Sequence, residues 1–264
     1  MPNSTKRGIV SARGRLSAWD DFMRICDNYF DKVGRWEKSG TSFGDFCWGQ
    51  PREPPKPEML SALRGSLEDG SKPDAPTDYF GYSFFQGDAQ RAVARMIKRH
   101  RELQVEPEDC ILTNGALGAL MVSMQVLTDP GDEVIMVTPW YFFYPAMCEV
   151  LGIKLVGVPS LPGSHDLDLD AIDRAISPNT RAILINSPNN PTGKIYPQET
   201  LRGLGQLLAK RSSGRDSPIF LISDEAYCRA GVLALKHESR ILRQWSSPGS
   251  NPVSGSRKSQ ASSP

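Results

Sequence analysis

From residue 110 onward the chain alternates short, nearly continuous apolar runs with longer stretches of helical periodicity. Runs at 111–113, 133–138, 154–158, 181–186 and 218–223 predict strands, and the stretches 117–127, 143–151, 170–176 and 198–211 predict helices between them. Asp129-Pro130-Gly131-Asp132 supplies the turn chemistry that stops the first of these helices. Strands this uniformly apolar leave no face for water. The pattern therefore predicts an α/β fold with a mostly parallel sheet and flanking helices on both faces.

Upstream, a helix is predicted over 88–103. Ala89, Val93, Met96 and Ile97 form its apolar stripe, while Arg91, Arg95, Lys98 and Arg99 face water. The first 81 residues are rich in Pro, Gly and charge, with amphipathic pieces at 18–33 and 58–67. Pro51, Pro54, Pro55 and Pro57 predict an extended, non-helical run between them. Beyond Trp245 the chain is nearly devoid of apolar residues, which predicts a disordered tail. The expected organisation is an N-terminal arm with a partial small domain (1–81), a large domain (82–230) and an atypical tail (231–264).

Composition narrows the function classes. In 264 residues, 31 Lys and Arg face 30 Asp and Glu with no basic block, so charge gives no support to nucleic-acid or anionic-membrane binding. Five scattered cysteines without a C-x-x-C pair predict reduced thiols, not a disulfide frame or a zinc site, and the three histidines stand far apart. No apolar run approaches the roughly 20 residues of a membrane helix, and the first residues lack the apolar core of a signal peptide. A cytoplasmic location is the expectation.

Polar residues gather where the predicted strands end. The run 181–186 leads into Asn186-Ser187-Pro188-Asn189-Asn190-Pro191-Thr192-Gly193, and the run 218–223 into Asp224-Glu225-Ala226-Tyr227. In open α/β sheets the crevice beyond the carboxyl ends of the strands is where ligands bind. Thr113-Asn114-Gly115-Ala116-Leu117 reads as a strand, a glycine turn and a helix start, whose free N–H groups suit a phosphate. Small residues there equally permit close helix–sheet packing. The aromatics of Pro139-Trp140-Tyr141-Phe142-Phe143-Tyr144-Pro145 are mostly expected to be core, the first of them lying at a strand end where a flat ring can stack. An apolar strand ending in Asp224-Glu225 also suits a nucleotide triphosphatase. That reading needs a phosphate loop, and the chain's only Gly-Lys, Gly193-Lys194, lacks the required glycine and hydroxyl residue around it.

These motifs, in this order from about Gly49 to Tyr227, resemble the fold-type I aminotransferases of classes I and II, which use pyridoxal 5'-phosphate (PLP). The resemblance implies a large domain of the aminotransferase kind and amino-group transfer from an amino acid to a 2-oxo acid. It assigns Gly115, Ala116 and Leu117 to the PLP phosphate and Tyr141 to the face of the cofactor ring, with Trp140 as the adjacent-register alternative. Asn190 and Tyr227 fall to the phenolic oxygen, Asn190 also lying beside the substrate carboxylate, and Asp224 falls to the ring nitrogen. Tyr82, in Tyr82…Gly87…Gln90-Arg91, corresponds to a tyrosine that reaches the neighbouring subunit's phosphate, which implies a homodimer; Gln90 departs from the usual Leu. Gly49, in Gly49-Gln50-Pro51, corresponds to a glycine near the substrate. A lyase or synthase of the aminocyclopropane-carboxylate synthase kind would use the same Asp, Tyr and Asn.

The family pattern continues with a Ser-x-x-Lys element, whose lysine bonds covalently to the cofactor, and with arginines for phosphate and substrate. The one lysine at a suitable distance is Lys258, in Ser256-Arg257-Lys258, and the Ser-, Pro- and Gly-rich stretch before it does not predict the strand that would aim it. The expectation is a C-terminally incomplete aminotransferase lacking its Schiff-base lysine, or a non-catalytic partner of an intact subunit.

Overall fold

The computed structural model describes residues 17–40, 42, 53–69, 87–101 and 103–227. They fall into two compact units, one of Arg24–Gln86 and one of Met1–Met23 with Gly87–Pro264.

In the first unit lie most of α1 (Ser17–Ser39) and all of α2 (Pro57–Asp69). Pro57 opens α2, against the expectation of an extended run through it. At the first position of a helix a proline loses no hydrogen bond, and its fixed φ is already helical.

The second unit holds α3 (Gly87–Arg101), a 3-10 turn (Pro107–Asp109), α4 (Gly115–Leu127), β1 (Glu133–Thr138), α5 (Phe143–Leu151), β2 (Lys154–Pro159), α6 (Leu169–Ala175), β3 (Thr180–Asn186), α7 (Gln198–Ser212) and β4 (Phe220–Asp224). The expected strand at 111–113 is absent: these residues have no regular structure, and Ile111 is 75% exposed. Among the residues of α3 whose burial is described, Ala94 is buried and Gln90, Val93 and Ile97 are half-buried, whereas Ala89 and Met96 are exposed. The stripe is thus turned from the expected one. Gln90 donates to the carbonyl of Cys110 at 2.7 Å, which gives its side chain a reason to lie on the inner side.

Among the described residues the four strands are parallel, in the order β2-β1-β3-β4. Strand parity splits the core into two layers. Ile135, Val137, Ile183 and Ile185 face α6 and α7, where Leu201, Leu204 and Leu208 complete one cluster. Val134, Met136, Ala182, Leu184 and Ile222 face α4 and α5, with Leu120, Met124, Tyr144, Met147 and Cys148. Fully burying each large aliphatic side chain contributes about 1.5–3 kcal/mol, which explains why the strands carry almost no polar residue mid-run. Burial also pushes the Cys148 thiol up to about 12.

The exception sits at the amino edge. Glu133, 6% exposed, accepts from Lys154 Nζ at 2.7 Å and Ser177 Oγ at 2.5 Å. Those donors, Lys154 first, hold its carboxyl below the ordinary carboxylate range. Arg215 closes the same edge by donating to the carbonyls of Ser177, Pro178 and Thr180. This end of the sheet is locked by polar bonds, which leaves the other end for chemistry.

Candidate active site at the carboxyl edge of the sheet

The chain leaves β1 toward β2 on one side, while β3 lies on the other, so the strand order reverses between β1 and β3. Such a switch point opens a crevice at the carboxyl ends of the two strands. The segments entering it are Pro139–Phe142 after β1, Ser187–Lys194 after β3 and Glu225–Tyr227 after β4. A fourth comes from α4. Its C-terminus feeds β1 through a short turn, so it runs antiparallel to the strands; its 13 residues span about 20 Å, the length of a six-residue strand. Its N-terminus therefore lies at the carboxyl edge.

Asp224 ends β4 and is 8% exposed. Parity with Ile222 turns its side chain to the α4/α5 layer, where Tyr144 Oη donates to Oδ2 at 2.7 Å. Ala226 N–H donates to Oδ1 at 3.1 Å. A carboxylate has about four acceptor sites, so each oxygen retains capacity for a further donor. Tyr144 is 1% exposed, and burial, then the bond to Asp224, raises its phenol far above the ordinary value. It stays a donor at any physiological pH.

Asn186 is the register partner of Asp224 across β3 and β4. Its Nδ2 donates to the Asp224 carbonyl at 3.0 Å, and its Oδ1 accepts from Asn190 N–H at 2.7 Å. One side chain thus ties the end of β4 to the loop after β3. Within that loop Asn189 Oδ1 accepts from Thr192 N–H and Oγ1, at 3.2 and 2.9 Å, and Gly193 N–H bonds the Asn189 carbonyl at 2.8 Å. Gly193 has φ 69°, a conformation open to glycine and costly to a branched residue. The turn presents Asn190 Nδ2, which donates to Tyr227 Oη at 2.8 Å.

Tyr141 joins from the β1 side. Its ring meets Tyr144 edge-on, centroids 5.6 Å apart, and burial, then Tyr227 and Asp224, raises its phenol. Trp140 turns away onto β2, against Gly157. Of the two candidate rings, Tyr141 is the one beside Asp224 and Tyr227. Gly115 has φ 74° and opens α4, so Ala116 and Leu117 belong to its first turn and not to a preceding loop. Their N–H groups have no carbonyl of the helix's own to bond. Asn114 makes no side-chain cap there, which leaves the dipole end open to an anion.

Asn190, Tyr227, Asp224 and Tyr141 are therefore brought together, with Ala116 and Leu117 at the same edge. Gly49, Tyr82 and Lys258 lie outside the described residues. Sequence reasoning gave no role to Tyr144 or Asn186. For Asn186 the signal was available, since period-two alternation puts it on the face of Ala182 and Leu184. Among the described residues no cluster of His, Cys, Asp and Glu suits a metal ion, and no helix is long and apolar enough to cross a membrane.

The family model for aminotransferases of class I and II matches residues 46–251. Among curated proteins, the aspartate/prephenate aminotransferase of Thermus thermophilus is 35% identical over 180 residues, which is 68% of this chain and 44% of that protein. The probable aspartate/prephenate aminotransferase of Thermus aquaticus is 41% identical over 139 residues, 52% of this chain and 35% of that one. A solved single-mutant aspartate aminotransferase of Thermus thermophilus superposes with a TM-score of 0.66 at 32% identity, over 83% of this chain and 53% of that chain. The chain spans less than half the length of these two curated relatives.

Proposed function

Since the chain belongs to the aminotransferases of class I and II, we propose that its carboxyl-edge site holds PLP for amino-group transfer from an amino acid to a 2-oxo acid. The observation that carries this reading is the buried Asp224 carboxylate, donated to by Tyr144 and Ala226 yet with acceptor capacity left. A neutral donor gains a hydrogen bond to a charged acceptor there, as the Tyr144 hydroxyl does. A protonated ring nitrogen gains that bond together with the attraction of opposite charges.

The remaining residues fit the same group. Ala116 and Leu117 N–H groups bind its phosphate, with Gly115 allowing the turn. Tyr141 covers one face of the ring and excludes water from it. Asn190 and Tyr227, already bonded to each other at 2.8 Å, hold the proton balance at the phenolic oxygen. When bound, PLP supplies an electron sink that a side chain cannot offer. Asp224 keeps the ring nitrogen protonated so that the sink is available.

The same reading sets Asn190 beside the substrate carboxylate. The relatives' named substrates aspartate, prephenate and N-succinyldiaminopimelate each carry more than one carboxylate, so an acidic amino acid is the first donor to test. Tyr82 and Gly49 retain their expected roles toward a second subunit's phosphate and toward substrate, and a homodimer belongs to the same proposal. No observation favours lyase or synthase chemistry.

The test is a PLP titration of the purified chain, followed by absorbance, then borohydride reduction and mass spectrometry. Saturable binding abolished by Asp224→Ala is expected. A reduced label on Lys258 identifies it as the covalent lysine; binding without any labelled lysine makes the chain a non-covalent PLP binder. Absence of binding sinks the proposal.

A further inference from the structure

The geometry points to Gly157 as a positioning residue for Tyr141, an inference that rests on the reading of Tyr141 as part of a PLP pocket. Gly157 stands in the middle of β2, paired with Met136 of β1, on the face that carries the α4/α5 layer. A Cβ at this position would lie 3.0 Å from Trp140 Cζ3 and 3.2 Å from Cη2. The outer ring of Trp140 therefore rests directly on the β2 backbone.

Trp140 precedes Tyr141 in the irregular segment between β1 and α5. That segment is also pinned where Ser160 N–H donates to the Thr138 carbonyl at 3.1 Å. Both neighbouring side chains pack against the α4/α5 layer, Trp140 seated on β2 at Gly157 and Tyr141 edge-on to Tyr144, where Tyr227 and Asp224 act on its phenol. The height of the Trp140 seat thus sets the height of the backbone that presents Tyr141. An indole plane gives way only as a whole. A methyl group on Gly157 lifts it by a few tenths of an ångström, and the shift passes to the next residue.

The experiment uses the full chain and three variants: Gly157→Ala, Trp140→Phe and the double variant. Each is titrated with PLP, and the induced circular dichroism of the bound cofactor, which reports ring setting, is recorded beside thermal stability. Gly157→Ala is expected to weaken PLP binding about three- to tenfold and to alter the dichroism, as displacements of this size do in positioned sites. Trp140→Phe, which lacks the atoms resting on Gly157, weakens it similarly. In the double variant the new methyl fills the space the larger ring vacates, and affinity returns to within about twofold of the parent.

Unchanged affinity and dichroism in Gly157→Ala overturns the inference, as does a change in stability alone. Equal loss in the double variant also overturns it, because the contact with Trp140 is then not the route. Should Gly157→Ala fail to fold, the comparison of Trp140→Phe with the double variant decides: recovery supports the inference and no recovery overturns it. A parent chain that binds no PLP overturns the functional reading and this inference together, an outcome distinct from a parent that binds and variants that do not differ.

Discussion

Replacing Tyr144 with Phe removes a single hydroxyl from the most enclosed part of the site. The ring, 1% exposed and packed in the α4/α5 layer, stays, so no cavity forms and the change isolates the 2.7 Å bond to Asp224. Hydrogen bonds to charged groups contribute about 1.5–3 kcal/mol net, so the unfolded fraction should rise about 10- to 150-fold. For a chain of this size that corresponds to a fall in Tm of about 3–12 °C. Urea unfolding followed by circular dichroism measures it, in the parent and in an Asp224→Ala background. With the carboxylate gone the hydroxyl is a buried donor without an acceptor, and its removal should cost less than about 0.5 kcal/mol or stabilise. The same cost in both backgrounds would refute the assignment, because the lost energy would then not reside in the Tyr144–Asp224 bond.

Asn190→Ala or Tyr227→Phe breaks a pair exposed to solvent, so stability should change by less than about 0.5 kcal/mol while PLP affinity falls about tenfold; the two titrations side by side check it. The depressed Glu133 carboxyl stabilises the fold above its ordinary value of 4.5, and that contribution is lost as pH falls through the lower folded value. Urea midpoints measured from neutral pH down to about pH 3 should therefore decline less in Glu133→Gln than in the parent. Gly203 lets α7 approach α6: a Cβ there would lie 2.6 Å from Leu169 Cδ1. Gly203→Ala should change stability by less than about 1 kcal/mol in the same assay, because Leu169 Cδ1 ends a half-buried side chain that can rotate aside and alanine is the better helix former by about 1 kcal/mol; a larger loss would show that the contact cannot yield.

Where apolar runs are long and bounded by turn residues, the fold was legible from the chain alone. The run 133–138, fenced by Asp132 and Pro139, and the helix 143–151, ended by Gly152 with φ 72°, both appear with the expected limits. The triplet 111–113 failed because no strand among the described residues pairs with it, and apolarity alone forms no ladder. Ala89 and Ala94 are interchangeable to a periodicity argument, so the turn of α3 was decided by Gln90 reaching Cys110. For the site, the local half was readable: Asn190, Asp224 and Tyr227 sit in short motifs at strand ends. Tyr144 was not, because its partner lies 80 residues away and a tyrosine among five aromatic residues reads as core. Nor was the seat of Trp140 on Gly157, which exists only once β2 is laid beside β1.

Asp224 belongs to the ladder itself. Its carbonyl accepts from Asn186 Nδ2 and Ser187 N–H, and its carboxylate is held from the α5 side. Tyr227, 41% exposed, and Asn190 stand on the loops beyond. The site consequently has a stiff half and a compliant half. Charge placement is as rigid as the sheet, and amide exchange there should be as slow as in the core, while the amide–phenol wall can yield to ligands of different shape. Substitutions in strand ends and in α5 retune the first, and substitutions in two short loops retune the second, so electronic function and molecular fit can change independently along this sequence.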